Sequence, residues 1–195
     1  MKKFELTTEF KMLFERKLFR IRALADFGDV KSGELGGYIE KEENLDHDGD
    51  AWVSGNACVY GDALVSGDAQ VCGDALVCGD ALVCGDARVC GDAWVYGNAR
   101  VCGDAWVSGD AWVSGDARVS GDADYTTVKG FGSECRNTTF YRQKDSTIGV
   151  KCGCFSGTLQ EFRDKVKETH GETKYAKEYL MIADLMELHF KGRTK

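Results

Sequence analysis

The chain has 195 residues, of which 43% are hydrophobic, and a net charge of −7. This length suits one or two compact domains, and the composition argues against a disordered chain and against a membrane span. Residues 49–123 combine three arginines with eleven aspartates, a net charge of −8. We therefore expect no direct nucleic-acid binding, because that affinity depends on neutralising phosphate charge.

Residues 1–48 precede the repeats and are predicted to form an N-terminal cap. Charged residues interrupt the first twenty positions, so no apolar run long enough for a signal peptide is present there. The nine cysteines are odd in number and mostly follow a repeat register, unlike a disulfide framework. Both features favour a cytoplasmic location.

From Gly49 to Ser120 the sequence consists of twelve hexapeptides of the form Gly-Asp/Asn-Ala-x-Val-x. Alanine and valine are two positions apart, so an extended strand points both side chains the same way. Glycine followed by Asp or Asn suits a tight corner. Three sides of six residues close one coil, so residues 49–123 predict a mainly β protein with a short parallel β-helix of about four coils.

Residues 124–195 predict a small C-terminal α+β domain. Residues 138–142 and 148–152 alternate as the two strands of a hairpin. Thr158 and Glu161 form a capping box that opens a helix ending near residue 170. A second helix is predicted over about residues 174–190. Its apolar face is expected to consist of Tyr175, Tyr179, Ile182, Met186 and Phe190.

The outward positions of the coils supply the candidate binding residues, because residues 18 apart stack in adjacent coils. Aromatic rings beside arginines suit an anionic ligand that contains a base. Exposed apolar columns also mark interfaces between copies, so a homo-oligomer is expected. The candidates are Tyr60, Trp94, Tyr96 and Trp112 on side two, Trp52, Arg88 and Trp106 on side one, and Arg100 and Arg118 on side three.

The sequence predicts no catalytic residue, because no hexad contains a histidine, a lysine or a glutamate. Corner carboxylates are solvated, so nothing raises their pKa towards that of a useful base. No cofactor is predicted. The set Cys135, Cys152, Cys154 and His170 leaves two interpretations open. These residues are either zinc ligands with an unusual Cys-x-Cys spacer or cysteines that pack as small hydrophobic side chains.

The pattern V-x-G-[DN]-A-x resembles the hexapeptide repeat of left-handed β-helices, the fold of many acyltransferases. That resemblance implies left-handed winding and a trimer. The segments RIRALADFGDVKSGELGGYIEKEENL (20–45) and TTFYRQKDSTIGVKCGCFSGTLQEFRDKVKETHG (138–171) resemble uncharacterised hexapeptide-repeat proteins of bacteriophages and prophages. This second resemblance implies a phage origin and action in the cytoplasm of the bacterial host.

Three classes of function are compatible with these features. The first is a non-catalytic counter-defence protein that sequesters a host small molecule, such as a nucleotide immune signal, or blocks a host protein. The second is an acyltransferase-like enzyme, for which only His47 is placed near the coils. The third is an acidic scaffold or DNA mimic that presents aspartate columns to a basic host protein. We favour the first class.

Overall fold

The computed structural model describes residues 2–191. Within them the chain forms an N-terminal antiparallel hairpin, a β-solenoid, and a four-stranded antiparallel sheet with two helices. The strands before and in the solenoid are β1 (Phe4–Leu13), β2 (Arg16–Ala23), β3 (Leu35–Ile39), β4 (Trp52–Val53), β5 (Cys58–Val59), β6 (Leu64–Val65), β7 (Gln70–Val71), β8 (Leu76–Val77), β9 (Leu82–Val83), β10 (Arg88–Val89), β11 (Trp94–Val95), β12 (Arg100–Val101), β13 (Trp106–Val107), β14 (Trp112–Val113) and β15 (Arg118–Val119).

The C-terminal unit consists of strands β16 (Tyr125–Phe131), β17 (Arg136–Arg142), β18 (Ile148–Cys152) and β19 (Phe155–Thr158), followed by helices α1 (Leu159–His170) and α2 (Lys174–Phe190). Short 3-10 turns, Glu42–Asn44 and Asp122–Asp124, lie at the two ends of the solenoid.

Three parallel sheets form the sides of the solenoid. The first side contains β4, β7, β10 and β13, and the third contains β6, β9, β12 and β15. The second side contains β3, β5, β8, β11 and β14 and is continued antiparallel by β2 and β1. The solenoid therefore has about five turns, one more than the hexads alone supply. The extra turn comes from β3 and from Leu45, which bridges to Val65. The left-handed winding and the domain boundary at residue 48 stay predictions.

The predicted assignment of inward and outward positions is confirmed. Every alanine and valine of the hexads is at most 1% exposed and belongs to one continuous core. The corner glycines have positive φ, as at Gly85, where φ is +70°. A Cβ atom added to Gly85 would lie 3.0 Å from the backbone nitrogen of Gly103 in the next coil. Glycine is thus required at this corner both by its φ angle and by the close approach of the next coil.

The two ends of the solenoid expose opposite backbone groups, because the amide of one coil donates to the carbonyl of the next, as from Trp52 to Ala69. The N-terminal end is left with carbonyl oxygens, and side-chain donors reach them. Lys3 Nζ donates to the carbonyls of Gly49 at 3.1 Å and Ala51 at 3.0 Å. Both ends of the rod would otherwise be open strand edges, which invite association with other chains.

Asn44 performs the same task on the third side. Its Nδ2 donates to the carbonyls of Gly61 at 3.0 Å and Ala63 at 2.8 Å, and its Oδ1 accepts from the amide of Lys41 at 3.0 Å. The side chain is fully buried. The two hydrogen bonds that Nδ2 donates thus replace those that a preceding coil would have made, and the bond to Oδ1 holds the side chain in place.

The C-terminal end is left with amides, and oxygen acceptors reach them. Asp122 accepts from the amide of Trp106 at 2.9 Å, and Thr139 Oγ1 accepts from the amide of Trp112 at 3.0 Å. Thr139 lies on β17, so the C-terminal sheet sits directly on the last coil. The predicted caps therefore act as hydrogen-bond complements of the two strand edges.

The predicted C-terminal hairpin and helices are confirmed by β17, β18, α1 and α2. Thr158 and Glu161 form the expected reciprocal capping box. The prediction for Tyr175 is wrong, because this side chain is 41% exposed. Ala176 is buried instead and belongs to the apolar core of the C-terminal unit. Strands β16 and β19 are additional to the predicted hairpin.

Replacing Val89 by Asp should lower the free energy of unfolding by at least about 4 kcal/mol, because a charge would be buried without a partner in the core. Thermal and chemical melts measure this change. The matched control is Arg88→Ala on the outward side of the same strand, with an expected effect within about 0.5 kcal/mol. Equal effects of the two changes would contradict the assignment of inside and outside.

Replacing Asn44 by Asp should lower the free energy of unfolding by about 2–4 kcal/mol, because carboxylate oxygens would face two buried carbonyls that now receive hydrogen bonds. Asn56→Asp, at an exposed corner, makes the same chemical change. It should cost no more than about 0.5 kcal/mol, since exposed like charges are screened. Urea titration of both variants checks the difference, and a stable Asn44 variant would refute the proposed role of this cap.

Candidate functional site

The structure places the nine candidate residues on three different sides of the solenoid. Side two carries Tyr60, Trp94, Tyr96 and Trp112, side one carries Trp52, Arg88 and Trp106, and side three carries Arg100 and Arg118. The arginines of the hexads therefore do not lie beside the tryptophans of side two, and the nine residues form no single site.

Several candidates are already engaged by the protein itself. Trp52 is only 2% exposed and packs edge-on against Phe27 at a ring distance of 5.4 Å, so it is left out of the candidate surface. Tyr60 lies under the guanidinium of Arg16, at 5.7 Å from its ring centroid. Arg118 Nη1 donates to the carbonyls of Asn98 at 3.0 Å and Ala117 at 2.8 Å.

The expected aromatic column on side two is present in its C-terminal half. The rings of Trp94 and Trp112 stack with centroids 4.9 Å apart and an interplanar angle of 8°. Their strands, β11 and β14, are in register, which places one indole directly over the other. In the N-terminal half, Leu18 and Tyr38 pack against Cys58 and cover it. Only the C-terminal half of the column, with Trp94 and Trp112, is therefore available to a ligand.

A groove of about 240 Å³ lies where the last coil meets the C-terminal sheet. Trp112 is its aromatic wall. The ammonium of Lys151 lies 5.2 Å from the centroid of the Trp112 ring, which is within the range of a cation–π interaction. Trp94 stacks on one face of Trp112, so Lys151 must lie over the other. The groove is lined by Asp110, Trp112, Arg136, Asn137, Thr139, Lys151 and Gly153.

The backbone around the groove is held by the cap contacts. Asn137 Nδ2 donates to the carbonyl of Asp110 at 2.7 Å, and the amide of Trp112 donates to Thr139. Gly153, with φ of +54°, turns the chain beside Arg136, and a Cβ atom there would lie 2.5 Å from Arg136 Nη1. Glycine at position 153 thus leaves room for the guanidinium at the edge of the groove.

The charge of the groove differs from that of the solenoid. Two cationic side chains, Arg136 and Lys151, line it. Its one carboxylate, Asp110, is paired with Lys129 from β16. The groove is therefore a locally cationic region at the end of an anionic rod, and it favours an anionic ligand. These cations come from the C-terminal domain and were absent from the predicted site. The sequence signal for them is that residues 124–195 carry 13 basic and 10 acidic side chains, a net charge of +3.

The other outward aromatic and basic residues form separate features. Trp106 is 52% exposed and pairs in register with Arg88. It borders a shallow depression that also includes Asp122 and Tyr125. The charged residue in its lining is the carboxylate Asp122, so this depression is less suited to an anionic ligand than the groove is.

A second cavity, of about 350 Å³, lies inside the C-terminal unit. Burial, together with the nearby Cys152 thiol, raises the pKa of Tyr179 to about 12. The cavity brings Cys152, Cys154 and His170 to one lining, as the zinc hypothesis required. Among residues 2–191, however, no three or more His, Cys, Asp or Glu side chains are grouped so that they could hold a metal ion. Of these cysteines only Cys152 packs against the apolar core of this unit, whereas Cys135 and Cys154 are exposed, so the packing interpretation fits Cys152 alone.

The histidines lie away from the groove. His47 stacks on Phe4 at 4.3 Å, and its Nδ1 accepts from the amide of Lys3 at 3.2 Å. His170 lies beside Tyr179, with ring centroids 5.8 Å apart. His189 packs edge-on against Phe190. Each ring is thus held by contacts within its own cap or helix.

The fold and the groove together define a β-solenoid protein with an aromatic and cationic site at its C-terminal end. The family model that matches the chain is described as the YdcK beta solenoid repeat. It matches residues 69–85, 87–103, 93–109 and 99–115. These matches lie within the hexads and agree with the repeat β-helix. Comparison with curated proteins gives no match. None of the described helices is both long and apolar enough to cross a membrane.

A double-mutant cycle should give a coupling energy of about 0.5–1.5 kcal/mol between Trp94 and Trp112, because stacked rings stabilise the fold beyond the area that each one buries. Urea titration of Trp94→Ala, Trp112→Ala and the double variant measures this coupling. The matched control combines Trp94→Ala with Trp106→Ala on side one, and these two changes should be additive. Additive effects of Trp94→Ala and Trp112→Ala would show that these rings are not stacked in solution.

Proposed function

We propose that the protein is a non-catalytic binding protein that captures a small anionic molecule containing a nucleobase. The observation that carries the proposal is the groove in which the stacked Trp94–Trp112 pair meets Lys151 and Arg136. A nucleotide combines the two groups that such a groove recognises, a flat ring and a phosphate.

The face of Trp112 that does not contact Trp94 is the proposed platform for the nucleobase. In the structure, the Lys151 ammonium covers that face. An incoming base takes the place of the Lys151 side chain, and the ammonium turns towards the phosphate. Stacking of a base on an aromatic ring is worth about 1–3 kcal/mol and tolerates different bases. Trp112 therefore supplies affinity for a base without selecting among bases.

Arg136 is the proposed partner of the phosphate. Its planar guanidinium can donate two parallel hydrogen bonds to phosphate oxygens, which an ammonium cannot. Its ion pair with Glu134 is long, at 3.8 Å, and exposed, so little is lost when a phosphate replaces the carboxylate. Lys151 adds a second positive charge from the neighbouring strand, β18.

No side chain in the described lining of the groove is free to act as a general base, and this favours ligand binding over catalysis. Asp110 is the only carboxylate in the described lining, and it is engaged in an ion pair with Lys129. The histidines are held elsewhere, so none of them reaches a ligand bound on Trp112. An acyltransferase reaction would have to use His47, which lies at the opposite end of the solenoid beside Lys3.

The resemblance to phage and prophage proteins supplies the proposed setting. There, the protein acts in the cytoplasm of the bacterial host and removes a nucleotide immune signal from solution. A different resemblance, that of the hexads to the repeat of left-handed β-helices, supplies the proposed left-handed winding and the proposed homotrimer. Sequestration requires only tight, stoichiometric binding, which is what a groove without reactive groups provides.

Titration of the protein with a nucleoside 5′-monophosphate and with the matching nucleoside tests the proposal. The phosphate-containing ligand should quench tryptophan fluorescence and bind at least about tenfold more tightly, a difference of about 1.4 kcal/mol. Lys151→Met and Arg136→Met should each weaken phosphate binding by about tenfold. Arg88→Met, on side one, is the matched control and should bind as the parent chain does.

Equal affinity for nucleoside and nucleotide, or equal effects of Arg88→Met and Lys151→Met, would contradict the groove as the binding site. The ligand should be released chemically intact on denaturation, in a fixed ratio to protein. Multiple turnover that is lost in His47→Gln would instead support the acyltransferase alternative. Tight binding of a basic protein without any small ligand would support the acidic mimic.

A further inference from the structure

The last position of each hexad lies at a corner of the solenoid, and cysteine occupies it in consecutive coils at two corners. The pairs are Cys72 with Cys90 and Cys84 with Cys102. In the first pair the two Sγ atoms are 2.6 Å apart. This is closer than non-bonded sulfur atoms normally approach, and it is nearer to the covalent S–S length of about 2.05 Å.

The backbone of the coils suits a bond between these sulfurs. The preceding residues, Val71 and Val89, are direct partners in the β7–β10 ladder. Neighbouring strands lie about 4.7–4.9 Å apart, which falls inside the range of about 4.4–6.8 Å between the Cα atoms of disulfide-bonded cysteines. The amides of Cys72 and Cys90 each donate a 2.9 Å hydrogen bond to the next coil. Both cysteines are thus held in position by the ladder.

The second pair has the same environment. Val83 and Val101 are direct partners in the β9–β12 ladder, one residue before Cys84 and Cys102. Burial, together with the contact to Cys84, raises the pKa of Cys102 to about 12, and burial likewise raises that of Cys72 to about 12. Cys72 and Cys102 are therefore in the thiol form at neutral pH, and their reaction with an oxidant is slow because the thiolate is the nucleophile.

We propose that Cys72–Cys90 and Cys84–Cys102 are two oxidation sites that close into disulfides between adjacent coils. The oxidant is a low-molecular-weight disulfide. One protein thiol loses its proton and attacks the reagent, which forms a mixed disulfide and releases one small thiol. The neighbouring protein thiol then attacks the mixed disulfide and releases the second small thiol. Each pair thus loses two protons and two electrons, and the reagent gains them.

The other cysteines of the solenoid provide an internal comparison. Cys78 occupies the same hexad position, but one coil away in each direction it meets Tyr60 and Tyr96 instead of a thiol. Cys58 is paired in register with Tyr38 and Leu76. Neither has a thiol above or below it, so neither should form a disulfide between coils.

The test is oxidation of the folded Cys78→Ser chain with glutathione disulfide, followed by alkylation of free thiols. This background is needed because residues 74–79 and 80–85 have the same sequence. A protease that cleaves before aspartate puts each remaining thiol of the two pairs on its own peptide. Mass spectrometry should find peptide 68–73 linked to 86–91, and 80–85 linked to 92–103. Each linked pair should lack two hydrogen atoms and carry no glutathione.

Two further measurements keep the outcome decisive. In Cys90→Ser on the same background, Cys72 should keep its glutathione, while the Cys84–Cys102 link still forms. Oxidation in denaturant should yield mixed pairings, with at least about tenfold less of the two expected links. A glutathione adduct that persists on Cys72 in the folded Cys78→Ser chain would overturn the proposal. So would pairing of Cys72 with any cysteine other than Cys90, or thiols in both pairs that stay unreacted while the exposed Cys135 and Cys154 are modified.

Discussion

The structure depends on the in-register hydrogen bonding between successive coils. Each coil donates its amides to the carbonyls of the next coil, so the solenoid has a chemical polarity from end to end. A single coil buries too little apolar surface to offset the conformational entropy of ordering it, and only stacking makes it stable. The polarity also dictates what each cap must contain. Donors such as Lys3 and Asn44 close the N-terminal end, and acceptors such as Asp122 and Thr139 close the C-terminal end.

The same register gives the outside of the solenoid its chemistry. Because residues 18 apart meet in neighbouring coils, a side chain repeated at that interval meets its own kind. Two indoles stack as Trp94 and Trp112, and two thiols touch as Cys72 and Cys90. By the same register, corner aspartates of adjacent coils lie next to each other, and their like charges repel. Where an asparagine replaces one of them, this repulsion gives way to a hydrogen bond, as where Asn56 Nδ2 donates to Asp74 at 3.1 Å.

The candidate site exists because the C-terminal cap closes the end of that register. The cap brings Thr139 and Asn137 to the last coil for hydrogen bonding, and the same docking carries Arg136 and Lys151 to the partly buried indole of Trp112. One sheet thus both caps the solenoid and completes the candidate site. In a longer solenoid, another coil would cover Trp112, so the groove is a property of the end of the rod and is not repeated along it.

The sequence by itself determined the inward alanines and valines, the glycine corners and the outward columns, because each follows from a strict period of six. It also determined the hairpin and both C-terminal helices, since the capping box of Thr158 and Glu161 and the alternating strands are local signals. The tertiary structure alone decided that Trp52 is covered by Phe27 and that the cations beside Trp112 are Arg136 and Lys151 instead of the arginines of the hexads. Those contacts join the repeats to segments outside them. No period relates the two, and which surfaces meet depends on how the caps satisfy the free edges of the solenoid.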